Sequence, residues 1–296
     1  MADGQDARID RQAARRRASR AAPTYLDGAR LEAEVGSRML ERLDYVRVAP
    51  QRILDAGCGP APQAPQLARR YRGAQILALD HSRAMLARAV AGSGMLARLL
   101  GRSAPRRVCA DLDRMPIAAG TIGLAWSNMA LHWLDQPLAA LREIGRVLAA
   151  DGLLMFSTLG PATLKELRSA CAAADGCPRV HAFIDMHDLG DMLLAAGFAD
   201  PVMDMETLTL TYRDAHALFA DLRATGQTSS LAARPRGLLG RTRFAAIVRE
   251  LSAQARDGRI PATFEVIYGH AWKGVRSRTA DGAAIVRTDL IRSRRI

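Results

Sequence analysis

Between Arg52 and Ala61 the chain reads RILDAGCGPA, an apolar run that ends on the carboxylate of Asp55 and is followed closely by two glycines, Gly57 and Gly59. An apolar run stopped by Gly reads as a buried strand entering a tight turn. Without a Cβ, Gly57 and Gly59 can take positive φ and let a ligand lie against the main chain. A phosphate-gripping turn needs either Lys-Ser/Thr after its last glycine or a third glycine opening a helix, and neither is present. Pro60 and Pro62 also remove backbone N–H groups that a pyrophosphate would use. The loop therefore suits a nucleotide-like ligand that is less anionic, and Asp55 suits a cationic part of it, such as an amino group.

Three further strand-like runs end on polar residues: Gln75 to Asp80 (QILALD), Arg107 to Asp111 (RVCAD, followed by Leu112) and Ile122 to Asn128 (IGLAWSN). Asp80 stands about 25 residues beyond the first acid, near the offset at which doubly wound folds place a ribose-binding carboxylate. The carboxyl ends of the strands form the ligand crevice of an open parallel sheet, so Asp55, Asp80, Asp111 and Asn128 would converge there. A lone G-x-G marks many ordinary turns; the ordered series of strand-end acids is what favours a cofactor loop. His132 and Trp133 follow Asn128 on the same edge. They either line an acceptor site, or Trp133 packs in the core with His132 on the surface. No metal-ligand cluster, Ser-His-Asp set or paired carboxylates stand out, so the sequence assigns no metal and no general base.

These residues need a sheet to hold them. Leu31, Val35, Met39, Leu40 and Leu43 share one face of a lead-in helix expected over 26–44. Pro137 opens an amphipathic helix to Leu148 that exits at Asp151-Gly152, and a fifth strand is expected over 153–157. A helix over 185–196, capped by Asp185 and ended by Gly197, precedes a sixth strand over 201–212 and a closing strand over 262–272. Helical patterns at 214–225 and 243–255 lie between the last two strands and read as a substrate lid or, alternatively, an inert surface insertion. The expected class is α/β, doubly wound and mostly parallel. Its parts are a basic, flexible segment 1–24, a core 25–212, a helical lid insertion 213–261, the closing strand of the core 262–274, and a polar tail 275–296.

At 296 residues and 49% hydrophobic content the chain can bury a sizeable core, which excludes a largely disordered protein. Its net charge of +12 is nearly all arginine, since the only lysines are Lys165 and Lys273. Such an excess is either a solvated surface or an attraction for an acidic partner, and the basic stretch Ala233 to Arg243 leaves the same choice open. No apolar run reaches the ~18 residues of a membrane span and no signal-peptide core is present, so the expected location is cytoplasmic. The four cysteines, Cys58, Cys109, Cys171 and Cys177, lack zinc-ligand spacing and read as reduced packing residues.

With its D-A-G-C-G-P-A loop and the acids after it, the chain resembles the Rossmann-like S-adenosylmethionine-dependent methyltransferases. That resemblance implies a seven-stranded sheet, in which the helical insertion between strands six and seven stands where a plain methyltransferase core would have a hairpin. It also implies S-adenosyl-L-methionine as cofactor, with Asp55, Gly57 and Gly59 in the loop, Asp80 on the ribose, Asp111 and Leu112 at the adenine, and Asn128 near the methionine end. Ala61 stands where the family pattern has a third glycine. The segments LAWSNMALHW (124–133), FSTLGPATLKELR (156–168), FIDMHDLGDMLLAAGF (183–198), DPVMDMETLTLTY (200–212) and PATFEVIYGHAW (261–272) are similar to the malonyl-acyl-carrier-protein O-methyltransferases of biotin synthesis. This implies methylation of the malonyl carboxylate on an acidic acyl-carrier protein, with no membrane or nucleic acid as partner. The same segments are similar to a sister group of methyltransferase-fold complex I assembly factors associated with arginine modification, which leaves that reaction open. A nucleic-acid methyltransferase fits the charge, but no RNA-recognition signature or aromatic-interleaved basic strip accompanies it.

Overall fold

The computed structural model describes residues 8–89, 104–235, 237 and 239–274. Seven strands form one sheet in the order β3-β2-β1-β4-β5-β7-β6. They are β1 (Arg52–Ala56), β2 (Gln75–Asp80), β3 (Arg106–Cys109), β4 (Ile122–Ser127), β5 (Leu148–Leu159), β6 (Phe198–Tyr212) and β7 (Ile260–Lys273). β1 to β5 run parallel, and β7 enters antiparallel between β5 and β6. The mostly parallel seven-stranded sheet is the one expected from the resemblance. Its chain order reverses between β1 and β4, which opens the crevice where such sheets bind ligands.

Alternate residues of the central strands feed two cores, one on each face. Ile53, Leu124 and Leu153 pack with Leu31, Val35 and Met39 of α3 (Arg30–Arg42) and with Leu67 of α4 (Ala64–Arg70). Leu54, Ala125 and Leu154 face the other way, onto Leu141 and Ile144 of α6 (Pro137–Val147) and Leu193 of α8 (Met186–Ala195). Burial on both faces explains why these strands read as continuous apolar runs rather than alternating ones. Asp185 caps α8, its side chain accepting from the His187 amide, and Gly197 follows the helix at φ 88.

Several boundaries differ from the sequence expectation. The lead-in helix is broken at Ala29 into a single turn, α2 (Tyr25–Gly28), and α3. β5 begins at Leu148, directly after α6, because Leu148 already pairs with Ile122; a register shift at Asp151-Gly152 then restores pairing at Leu153. Asp151 takes φ +57 there, so this pair is a bulge within the strand rather than a loop before it. Cys109 is exposed at the edge strand, whereas Cys58 and Cys171 are buried; all four cysteines are free.

The N-terminal segment differs most. Residues 11–21 form a helix, α1, capped by Asp10, with Ala13, Ala14 and Ala21 buried. Its arginines meet acids beyond β3, Arg11 with Asp113 at 2.5 Å and Arg15 with Asp111 at 2.8 Å. The segment before it pairs with the stretch after α9 (Ala215–Ala224): Ile9 bridges Leu231, and the Asp10 amide donates to the Ser230 carbonyl at 2.7 Å. A free, solvated terminus is thus replaced by a docked helix over the described part of that segment. Between β6 and β7 stand α9 and α10 (Arg241–Ser252). α10 packs on α7 (Lys165–Asp175).

Candidate functional site

The carboxyl ends of β1, β2 and β4 bring the glycine loop, Asp80 and Asn128 around one cleft. Gly57, Gly59, Asp80, Asp111, Leu112, Asn128 and Trp133 all line it, as do Tyr25 and Ala14. Asp80 organises the loop: its Oδ2 accepts from the Gly59 amide at 2.9 Å and its Oδ1 from the Ser82 amide at 2.7 Å. Each oxygen keeps a lone pair for a hydroxyl. Gly57 has φ +75, and a Cβ there would lie 2.4 Å from the Ala130 Cβ, so glycine is required by packing as well as conformation. At Gly59, φ is +54 and the nearest atoms to an added Cβ belong to the Tyr25 ring at 3.9 Å.

Asp55, 2% exposed, sits behind the loop. Its Oδ2 has no hydrogen-bond partner among the described residues. Burial, with Asp80 beside it, pushes its pKa up to about 8. An unpaired buried carboxylate oxygen is costly, and a cationic group bound in the cleft would relieve that cost. Open backbone at Gly59, free lone pairs on Asp80 and the unsatisfied Asp55 therefore fit a ligand that joins a ribose to an amino-acid cation.

Asn128 is held from two sides. Its Nδ2 donates to the Glu32 carbonyl at 2.8 Å, and its Oδ1 accepts from Ser157 Oγ at 2.8 Å. Asp111 lines the cleft, but both its oxygens accept from Arg15 Nη2, at 2.8 and 3.1 Å. The carboxylate expected at the adenine thus also anchors α1. Ala61, fully buried, adopts φ +51. The position needs the left-handed region, which is the physical reason for a glycine there, and alanine tolerates it at a modest cost.

A second, larger cavity of about 500 Å³ opens on the far side of Trp133, which lines both. Its apolar wall includes Leu164, Leu167, Phe183, Phe219 and Phe244. His132 also lines it and is half-buried, with its Nδ1 buried: its ring stands 5.3 Å from Trp133 and 5.9 Å from Phe183. Burial, with His181 nearby, holds the His132 pKa down to about 3, so the ring is neutral at neutral pH. His181 accepts from the Ser230 amide through Nε2 at 2.9 Å, and burial lowers its pKa to about 4. Both proposed acceptor-side residues, His132 and Trp133, therefore meet at this cavity.

The sequence reading missed Tyr25, Arg17, His181 and Ser229. Tyr25 and Arg17 lie before the first strand, where no strand-end rule points. His181 and Ser229 lie in irregular segments after α7 and α9, whose approach depends on the tertiary fold.

A methyltransferase-domain family model matches residues 54–156. Among solved structures, the YcgJ protein of Bacillus subtilis superposes with a TM-score of 0.57 at 15% identity, covering 82% of this chain and 99% of that one. A methyltransferase-like protein of Bacillus halodurans gives the same score at 17% identity, over 80% and 97%. Sheet order, glycine loop and convergent strand-end acids define a Rossmann-like, S-adenosylmethionine-dependent methyltransferase. The chain is 46% identical over 95% of its length to the malonyl-[acyl-carrier protein] O-methyltransferase of Gallionella capsiferriformans, covering 97% of that protein. It is 44% identical to that of Halorhodospira halophila, with 100% of both chains covered. It belongs to the malonyl-[acyl-carrier protein] O-methyltransferase family.

Proposed function

We propose that the chain transfers a methyl group from S-adenosylmethionine to the free carboxylate of malonyl-acyl-carrier protein, giving the malonyl methyl ester of biotin synthesis. The supporting observation is that Trp133 lines both the cofactor cleft and the apolar cavity, so two ligands can meet at that ring. The cofactor, when bound, supplies a methyl carbon on a cationic sulfur. An acceptor carboxylate oxygen bonds to that carbon as its bond to sulfur breaks, and no proton is released. The nucleophile is already an anion, so the chain needs no general base. The neutral His132 and His181 are consistent with that.

What the chain supplies is position and a dry wall. Holding the two reactants in line is the largest service a site of this kind can give. Opposite charges disappear as the new bond forms, and the apolar lining keeps out water that would stabilise them apart. Asp55, Gly57, Gly59, Asp80, Leu112 and Asn128 would hold the cofactor, with Asp111 at the adenine side. Arg223 and Arg243 are exposed and line the acceptor-side cavity, where they suit an acidic carrier protein. No helix of the described residues is long and apolar enough to cross a membrane, and a cytoplasmic location, where it would meet an acyl-carrier protein, is part of this proposal. The arginine-modifying alternative is not favoured, because the full-length relatives above carry the carboxyl-methylating name.

The test offers malonyl-acyl-carrier protein and S-adenosylmethionine to the purified chain and weighs the carrier protein. The expected result is a gain of one methyl group, absent when acetyl replaces malonyl. Cofactor binding by calorimetry without any such gain would overturn the reading of the acceptor.

A further inference from the structure

The malonyl reading requires a cation for the acceptor's carboxylate, and the described arginines at the acceptor-side cavity differ sharply in what already occupies them. Arg179 is held by Asp175 through two bonds of 2.5 and 2.6 Å. Arg234 is held by Asp10 at 2.9 Å and by the Leu231 carbonyl at 2.6 Å. Arg223 and Arg243 are exposed to solvent. Arg17 is different: it lines the cavity, and its Nη1 is buried with no hydrogen-bond partner among the described residues. Asp10, the nearest acid on its own segment, is engaged by the Ala13 amide and by Arg234.

Two further buried atoms around the same cavity are also without a partner, Nδ1 of His132 and Oγ of Ser229. Three residues that line one apolar cavity thus each carry an unsatisfied buried polar atom, whereas buried polar groups are nearly always paired. A guanidinium, a hydroxyl and a neutral imidazole contributed to one cavity lining suit a small, planar, acceptor-only anion.

We propose that Arg17, carried on α1, receives the free carboxylate of the acyl acceptor, with Ser229 and His132 completing the hydrogen bonds. The proposal rests on the malonyl reading above and names the residue that makes the site selective for the acid. Methylation removes the charge that Arg17 recognises, so the ester product loses this contact and leaves more easily than the acid. α1 thereby belongs to both halves of the site, with Ala14 and Ala18 on the cofactor cleft and Arg17 on the acceptor side.

The test compares the full-length protein with R17A, R17K and R17Q, using R16A, an exposed position on the same helix that lines neither cavity, as control. Two readouts are taken: kcat and KM with malonyl-carrier protein, and, with S-adenosylhomocysteine present, the affinities for the malonyl and the malonyl-methyl-ester carrier proteins. For R17A, kcat/KM should fall on the order of 30-fold or more, mostly in KM, as expected for truncating one partner of a buried charge pair. Its preference for acid over ester should vanish while S-adenosylhomocysteine affinity stays at the wild-type value. R17K should recover part of the preference, and R16A should behave as wild type. If R17A and R17Q keep the wild-type preference for acid over ester, Arg17 does not bind the carboxylate, even if stability or turnover falls. If the wild-type chain methylates no malonyl-carrier protein and binds acid and ester alike, the malonyl reading itself fails.

Discussion

Asp55 and Ala61 carry the two residue-level consequences of the glycine loop. The unfolded chain releases the Asp55 proton near pH 4, whereas burial in the folded, ligand-free protein holds it to about pH 8. Between those values the folded state binds more protons than the unfolded one, so stability falls as pH rises through the window and levels off above it. Glu32, pushed by burial to about 7, acts in the same direction. Thermal melts of the ligand-free protein should therefore show a lower Tm at pH 8 than at pH 6, with a shallower decline in Asp55→Asn. Cofactor affinity should run the opposite way in the wild type, because a cationic amino group pairs with the deprotonated carboxylate; calorimetry across pH 6 to 9 checks this. At Ala61, relief of the left-handed φ in Ala61→Gly is worth about 1 kcal/mol. The lost methyl burial and added chain entropy cost a similar amount, so the Tm should move by less than about 2 °C. Asp55, Gly57 and Gly59 were legible in the sequence because a strand-end acid followed by glycines is a local pattern. The pairing of Asp111 with α1 was not, since its partner, Arg15, lies far earlier in the chain and meets it only after folding.

At the scale of elements, α1 is the part that converts a generic cofactor sheet into a closed site. The cleft it covers is about 120 Å³, well below the ~300–1,000 Å³ usual for a ligand site. Any further room for a cofactor would come from α1 or the side chains beside it. What holds the helix down on this side is weak: Arg11 and Arg15 are each 51% exposed in their ion pairs, and such pairs contribute less than ~1 kcal/mol apiece. The double variant R11A/R15A should keep its Tm within about 4 °C of wild type. It should release S-adenosylhomocysteine several-fold faster, which stopped-flow tryptophan fluorescence would follow. The strands β1, β2 and β4 were legible from their apolar runs and terminal polar residues. The docking of α1 was not, because alternating arginine and alanine describe a solvated helix equally well, and its buried face is only alanine. The bulge at Asp151 was hidden for a similar reason: Asp-Gly signals a turn, and only the partner Ile122 shows that the strand began before it.

The whole molecule carries a net charge of +12. If that excess serves an acidic carrier protein, the encounter is steered over long range and is screened by salt. Raising ionic strength from about 0.05 to 0.5 M should increase the KM for malonyl-carrier protein several-fold, because the Debye length shortens to a few ångströms. The Kd for S-adenosylhomocysteine should change little, since its contacts lie within the cleft. An unchanged KM would assign the arginines to a plain solvated surface. Fold class and strand number could be anticipated from resemblance, yet the contacts that close the site join distant parts of the chain. The Arg8 carbonyl accepts from Ala232 at 2.7 Å, and Asp10 is bound by Arg234. During synthesis α1 is made more than two hundred residues before the segment that fixes it. At about 5–20 residues per second that delay is on the order of tens of seconds. Throughout it, Ala21 and Ala22 can settle on Met85 but the strand-like contact that pins the start of the helix is missing, and a nascent chain that already holds a complete glycine loop is still unable to enclose either reactant.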